Sequence, residues 1–221
     1  TCTEEGEEMR FEEFEFDTPL YIVYSSGTTG KPKCIVHGAG GSLLQHMKEH
    51  LLHGDMRRPG QDVILQYTTI GWMMWQWMVS SLALGSTLVL YDGSPFREDS
   101  SRLWTLIHEL GVTHFGTSAK YLQSLQDSNY AVPKNLSVGS RLRVIYSTGS
   151  PLPADTFRFV YRKLLKEMGG DVQLASITGG TDILSLFAGG CPILPVYAGE
   201  IQAACLGMAL ACADASVVCG D

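Results

Sequence analysis

Residues 63–91 read VILQYTTIGWMMWQWMVSSLALGSTLVLY, an uncharged run whose interpretation fixes the fold. A membrane-spanning helix needs about 20 consecutive apolar residues. Here the run is broken by Thr68, Thr69, Gly71, Gln76, Ser80, Ser81, Gly85, Ser86 and Thr87, so it divides into strand, helix and strand. VILQY (63–67) has the length and content of a buried strand, and STLVLY (86–91) supplies another. Between them WMMWQWMVSSLAL (72–84) is apolar on nearly every face, as a helix buried in a large protein is. The stretch is thus read as protein core, with no transmembrane span.

The same alternation extends in both directions. Upstream, LYIVYS (20–25) is a short buried strand that empties into SGTTGKPK, and CIVH (34–37) is a brief strand. Ser42 and Gln45 form a capping box for a helix closed by Gly54, with Leu44, Met47 and Leu51 toward one side. Downstream come a helix at 100–110 ended by Gly111, a strand VTHFG (112–116) and a helix near 119–126. RVIYS (143–147) then leads through TGSPLP into a helix at 154–168, and VQLASI (172–177) opens into TGGTD. Strands alternating with helices predict an α/β fold, a mostly parallel sheet with flanking helices, with ligands at the carboxyl ends of the strands. Glycine and hydroxyl clusters at 25–30, 147–151 and 178–182 stand at three such ends and are expected to converge on one crevice.

Charge is uneven. Residues 1–17 carry eight acidic side chains and one basic, which accounts for the whole formal charge of −7, and the remainder balances at fifteen of each sign. A neutral body argues against nucleic acid as a partner, since phosphate backbones require a concentrated basic face. Residues 1–17 read as an acidic linker or domain edge, with Phe11, Phe14 and Phe16 available to pin its end to the body. The six cysteines (Cys2, Cys34, Cys191, Cys205, Cys212, Cys219) form no CxxC pair, which suits free thiols in a reducing compartment. His46, His50 and His53 share a helical face, but without HExxH or a separate ligand they are expected to be structural rather than a zinc site.

Nine residues concentrate the chemistry: Ser25, Ser26, Gly27, Thr28, Thr29, Gly30, Lys31, Pro32 and Lys33. They offer backbone N–H groups, hydroxyls and two ammoniums, the donors that polyphosphate oxygens need, with glycine allowing close backbone approach. The spacing is not that of a Walker A loop, because two residues separate Gly27 from Gly30 and Pro32 follows Lys31. On these residues alone a surface hairpin remains an alternative.

YSSGTTGKPK resembles the phosphate-loop signature of the adenylate-forming superfamily, which contains acyl-CoA synthetases, nonribosomal adenylation domains and luciferases. HLLHGD, GWMMWQWMVS, LVLYDGSPF, STGSPL, GGTDI and LPVYAGEIQA resemble its acetoacetyl-CoA synthetase branch, in order, from about residue 19 to 208. The resemblance implies ATP and Mg²⁺, with CoA as co-substrate and acetoacetate as the carboxylate. It places residues 25–33 over the β- and γ-phosphates, Thr28 and Thr29 as hydroxyl donors and Lys33 as counter-charge. Gly149, Ser150 and Pro151 match the turn along the adenine. Gly179, Gly180, Thr181 and Asp182 match the segment closing over the nucleotide, with Thr181 on the α-phosphate and Asp182 holding Mg²⁺. Asp182 stands where most relatives have Glu. Trp72 matches the tryptophan that enters the acyl pocket, with Met73 and Trp75 as further walls, although a buried helix explains those two equally well.

The implied reaction is attack of the carboxylate on the α-phosphorus, loss of pyrophosphate, then capture of the acyl-adenylate by the CoA thiol, through electrostatics and positioning rather than a side-chain nucleophile. Residues 18–208 are the expected ATP- and acyl-binding core, and 209–221 an atypical tail to which the resemblance does not extend. Thr1 and the unfinished pattern after residue 208 are read as boundaries of a fragment of the large domain. The parent's remaining large domain and C-terminal, lysine-bearing domain would lie outside it, leaving the fragment alone inactive. Localisation follows the resemblance and the thiols to the cytosol. Rival readings are another short- or medium-chain acyl-CoA synthetase and a non-catalytic nucleotide-binding module. A kinase is disfavoured for want of a Walker A or kinase catalytic loop.

Overall fold

A computed structural model of the chain describes residues 10–25, 30–96, 100–168 and 172–211. In chain order the elements are β1 (Pro19–Ser25), β2 (Lys33–Gly38), α1 (Ala39–Lys48), β3 (Val63–Gln66), α2 (Met73–Ser80), β4 (Thr87–Leu88), α3 (Arg102–Glu109), β5 (His114–Ser118), α4 (Ala119–Asp127), α5 (Lys134–Ser137), β6 (Val144–Thr148), α6 (Ala154–Phe159), β7 (Gln173–Ser176), β8 (Thr178–Gly180), β9 (Ser185–Gly189) and β10 (Ala203–Ala204). The central sheet has the order β4-β3-β5-β6-β7 and is parallel throughout. Among the described residues no helix is long and apolar enough to cross a membrane.

Side chains alternate across a strand, so a two-faced sheet needs two cores. Leu65, Phe115, Ile145 and Leu174 lie in register across β3, β5, β6 and β7 and are fully buried on one face. They pack with Leu103, Trp104 and Ile107 of α3, Leu122 and Leu125 of α4, and Phe157 of α6. On the other face Ile64, Val144, Tyr146 and Ala175 pack with Met74, Trp77 and Met78 of α2 and Leu186 of β9. One row further along, Gln66, Gly116, Tyr146 and Ala175 stand in register, then Thr117, Ser147 and Ser176. The sheet therefore turns from hydrocarbon to hydroxyl and amide as it approaches its carboxyl edge, where a ligand would sit.

The strand-helix-strand division of 63–91 is borne out, with the second strand shortened to two paired residues at the sheet edge. Three expectations need correction. β1 does not join the parallel sheet. It pairs antiparallel with β2 in a separate two-stranded sheet, so Ser25 does not end a strand of the parallel sheet. α1 begins at Ala39, not beyond Ser42, because the Ala39 and Gly40 N–H groups donate to the carbonyls of Thr18 (2.8 Å) and Phe16 (2.9 Å). Backbone carbonyls from a preceding segment supply the cap that a side chain would otherwise provide. Ser42 instead donates back to Gly38 O at 2.7 Å.

The buried side of α1 is the third correction. Leu44 is 61% exposed, whereas His46, Glu49, His50 and His53 are buried. The helix widens to π geometry over Glu49–His53 and ends at Gly54, as expected. Phe16 packs over Gly40, where a Cβ would lie 2.2 Å from its ring, while Phe11 and Phe14 stay exposed. Residues 1–9 and the tail from 212 fall outside the described residues.

The buried histidines are engaged by backbone carbonyls of neighbouring elements. His50 Nε2 donates to Trp77 O at 2.8 Å, and its ring lies 4.1 Å from the Trp77 ring. His53 Nδ1 donates to Gly190 O at 2.8 Å while its Nε2 accepts from the Leu206 N–H at 3.0 Å, which fixes a neutral tautomer. His114 Nε2 donates to Gly54 O at 2.7 Å. Burial pulls His50 down to about 3 and His114 to about 4, opposed only in part by those carbonyls.

A depressed histidine pKa gives stability that is complete above the unfolded value near 6.5 and is lost as pH falls toward the folded value. The unfolding free energy from urea titration should therefore fall from pH 6.5 to pH 4, by at most about 1.4 kcal/mol per pH unit for each group. His50→Asn should flatten that dependence when the two proteins are titrated side by side, and an unchanged slope would contradict the neutral buried His50.

Candidate active site

At the carboxyl edge of the sheet two hollows share the wall formed by Thr148, Gly149 and Gly179. The larger, about 550 Å³, is lined among others by Gln66, Trp72, Met74, Thr117, Thr181 and Leu186. The smaller, about 440 Å³, is lined by Ser150, Pro151, Ser176 and Ile201 besides the shared wall. A further hollow of about 850 Å³ adjoins Arg143 and Gln173, at the amino ends of β6 and β7. Its size does not make it the site, since open parallel sheets bind ligands beyond the carboxyl ends of their strands. Its arginine is already engaged, by Asp55 and by Asp62 at 3.2 Å.

The glycine-rich segment after β7 is built as a narrow antiparallel pair of β8 and β9. A Cβ on Gly179 would stand 2.2 Å from the Ser185 carbonyl oxygen, so only glycine permits this approach of the two strands. Gly149, at φ +86°, turns the chain out of β6 in a conformation that side chains resist.

Four side chains of β2, α1 and the π-helical turn after it clamp the 181–186 segment. His37 Nε2 donates to Thr181 O at 2.9 Å, and His46 Nε2 donates to Leu184 O at 2.5 Å. Leu184 is held at φ +50°, a left-handed conformation costly for leucine. Gln45 donates to Ser185 Oγ at 2.6 Å and to Glu49 Oε1 at 2.9 Å. The buried Glu49 carboxylate also accepts from Ser185 Oγ (2.5 Å), the Leu186 N–H (3.1 Å) and Trp77 Nε1 (2.8 Å). Burial lowers the His46 pKa, which keeps that ring a neutral donor.

The structure thus brings Trp72, Gly149, Gly179, Gly180 and Thr181 to one crevice, and Ser150 and Pro151 to the lobe beside it. Trp72, 68% exposed, caps α2 and looks into the crevice, while Met74 and Trp77 below it are core. Asp182 is exposed immediately after Thr181. One carboxylate suffices for Mg²⁺, which commonly takes one or two together with substrate phosphates. Ser25, Gly30, Lys31 and Lys33 lie at the β1–β2 turn and line neither hollow. Ser26, Gly27, Thr28 and Thr29 lie outside the described residues. His37 ties that hairpin to Thr181 and so connects the phosphate-loop motif to the crevice. Sequence reading missed His37, Gln45 and Glu49 as supports, and Gln66 as a lining residue. A carboxamide closing a strand of otherwise apolar residues was the available signal for Gln66.

A parallel sheet whose carboxyl edge carries a glycine-built, two-lobed crevice defines an α/β protein with a candidate ligand site at the position such sheets use. The chain belongs to the AMP-binding enzyme family, whose model matches residues 3–218. It is 49% identical over 203 residues to the acetoacetyl-CoA synthetase of Mus musculus, covering 92% of this chain and 29% of that protein. To the acetoacetyl-coenzyme A synthetase of Rhizobium meliloti it is 50% identical over 200 residues, covering 90% and 30%. To the malonamoyl-CoA synthetase of Penicillium aethiopicum it is 46% identical over 220 residues, covering 93% and 30%. Among solved structures, acetoacetyl-CoA synthetase from Streptomyces lividans superposes with a TM-score of 0.82 at 43% identity, over 91% of this chain and 30% of that one. The chain spans about 30% of the length of the relatives it matches.

Gly179→Ala should force β8 and β9 apart, costing roughly 1–3 kcal/mol in urea denaturation, whereas Ser150→Ala at an exposed turn should leave stability within about 0.5 kcal/mol. Glu49→Leu strands four donors and should cost on the order of 3 kcal/mol. A loss below about 1 kcal/mol in the same experiment would remove Glu49 from its supporting role.

Proposed function

We propose that the protein carrying this chain joins acetoacetate to coenzyme A with ATP, through an acyl-adenylate. The observation that carries the reading is the crevice itself. A lobe lined by the Gly149–Pro151 turn meets, across a shared glycine wall, a lobe lined by Trp72 and Met74, so a nucleotide and a small acid can face each other beside Thr181. The acids of the relatives' names support the size class: acetoacetyl and malonamoyl groups are short and bear a carbonyl on the third carbon.

In this mechanism an oxygen of the acid's carboxylate attacks the α-phosphorus, and the bond to the oxygen bridging the α- and β-phosphates breaks, so pyrophosphate leaves with the electron pair. The Thr181 hydroxyl donates to an α-phosphate oxygen as charge builds there. Ser25–Lys33 donors and the Lys31 and Lys33 ammoniums hold the β- and γ-phosphates and then the departing pyrophosphate. Asp182 holds Mg²⁺, which when bound supplies Lewis-acid stabilisation of phosphoryl charge. Gly149, Ser150 and Pro151 lie along the adenine, and Gly179 and Gly180 let the backbone approach the nucleotide. The thiolate of CoA then attacks the acyl carbon and AMP departs. No side chain of this chain needs to form a covalent bond; its residues bind, orient and neutralise.

Residues 18–208 form the ATP- and acyl-binding core in this reading, with the acidic residues 1–17 as its edge. The other part of the large domain and a lysine-bearing C-terminal domain complete the enzyme, in the cytosol, and the isolated 221 residues are inactive.

The test is acid-dependent exchange of labelled pyrophosphate into ATP by the complete polypeptide, with acetoacetate, acetate, butyrate and octanoate. Acetoacetate should drive the fastest exchange, and Thr181→Ala or Asp182→Ala should lower it roughly a hundred-fold, the scale for removing one transition-state donor or ligand. Exchange with none of the acids, in a folded protein that binds ATP, would instead favour a nucleotide-binding module without ligase activity.

A further inference from the structure

We propose that Gln66 selects acids that carry a polar group on the third carbon, by hydrogen-bonding that group at the floor of the crevice. The inference rests on the adenylate reading and adds to it the residue that recognises the substrate's far end.

Gln66 closes β3, is 5% exposed and lines the 550 Å³ lobe. Its Oε1 is sealed from solvent and has no hydrogen-bond partner among the described residues. Leaving a buried amide oxygen unpaired costs about 1–3 kcal/mol. Sealed against Gly116, that oxygen is out of reach of anything in the lobe, and the other end of the amide, Nε2–H₂, which has no acceptor among the described residues, is the group left to meet a ligand. Among the buried side chains that line the same lobe, Met74 and Leu186 are thioether and hydrocarbon surfaces, and Thr117 brings a hydroxyl that itself has no partner among the described residues.

The position of the amide is set by what is missing opposite. Gln66 and Gly116 are register partners on adjacent strands. A Cβ on Gly116 would lie 1.6 Å from Gln66 Oε1 and 2.3 Å from Cδ, so the carboxamide lies flat over β5 only because residue 116 is glycine. Any side chain there would drive the amide into the lobe and fill it.

Strand spacing then relates the amide to the reacting end. β5 separates β3 from β6, and β6 runs directly into Thr148 and Gly149, the wall shared by the two lobes. Neighbouring strands lie about 4.8 Å apart. An acid whose carboxylate sits beside β6 and Thr181 therefore extends its second and third carbons over β5, where the amide rests. An alkyl chain would satisfy Met74 and Leu186 but leave Gln66 unpaired. The oxo oxygen of an acetoacetyl group, or the carboxamide oxygen of a malonamoyl group, accepts from its Nε2–H. Discrimination of this kind is strong because the analogue lacking the polar group forfeits a buried hydrogen bond.

The experiment compares acetoacetate with butyrate, which has the same carbon skeleton without the oxo oxygen, in pyrophosphate exchange by the complete polypeptide and its Gln66→Leu variant. The ratio of kcat/KM for acetoacetate over butyrate should fall roughly ten- to hundred-fold in the variant. An unchanged ratio, whether both rates fall together or neither moves, overturns the inference. Should the leucine variant be inactive toward both acids, Gln66→Met, which keeps the length, is read by the same ratio. Wild-type exchange that favours butyrate overturns the inference while leaving adenylation intact, and absence of exchange with every acid overturns both.

Discussion

A carboxylate buried without a neighbouring cation must be met by donors, and the arrangement around Glu49 follows from that requirement. The amide of Gln45, the hydroxyl of Ser185, the N–H of Leu186 and the indole of Trp77 all converge on it. These donors belong to α1, β9 and α2, so one side chain fixes how the hairpin helix, the glycine-rich strand pair and the tryptophan helix sit against one another. The π-helical widening at Glu49–His53 belongs to the same device, because it turns Glu49, His50 and His53 inward together. Single-turn π segments recur at functional sites, where they re-aim side chains that a regular helix would point elsewhere.

The consequence reaches the crevice through a short piece of chain. Between Thr181 and Leu186 the backbone is held by His37, His46 and Glu49 in succession, and Leu184 is kept in a left-handed conformation that leucine would not otherwise adopt. Such strain persists only where the surroundings over-determine it. Here it fixes the segment that carries Thr181 and Asp182. Burial lowers the His46 pKa, which favours the uncharged ring as the donor to Leu184 O.

The parallel sheet performs the complementary task. Its rows pass from Leu65, Phe115, Ile145 and Leu174 to Gln66, Gly116, Tyr146 and Ala175, and then to Thr117, Ser147 and Ser176. Hydrocarbon fixes the strands, and the polar rows above it are positioned by that packing rather than by any local preference. In this division a packed sheet presents short polar side chains and glycine turns at its carboxyl edge, and the AMP-binding enzyme family model matches across it.

The sequence alone was enough for the alternation of strands and helices, the mostly parallel sheet, and the glycine and hydroxyl turns at 147–151 and 178–182. These are legible because they rest on local periodicity, composition and the steric freedom of glycine. Tertiary structure decided what depends on contacts distant in sequence. The carbonyls of Phe16 and Thr18 start α1 three residues before Ser42, its best capping side chain. The buried face of that helix is His46, Glu49, His50 and His53 rather than its leucines, because partners more than a hundred residues away satisfy His46, Glu49 and His53, and Trp77 satisfies His50. β1 pairs with β2 instead of entering the main sheet. Gln66 reads as an ordinary strand end until Gly116 is placed beside it. No window of neighbouring residues contains both halves of these pairs, so their energies enter only when the chain has closed on itself.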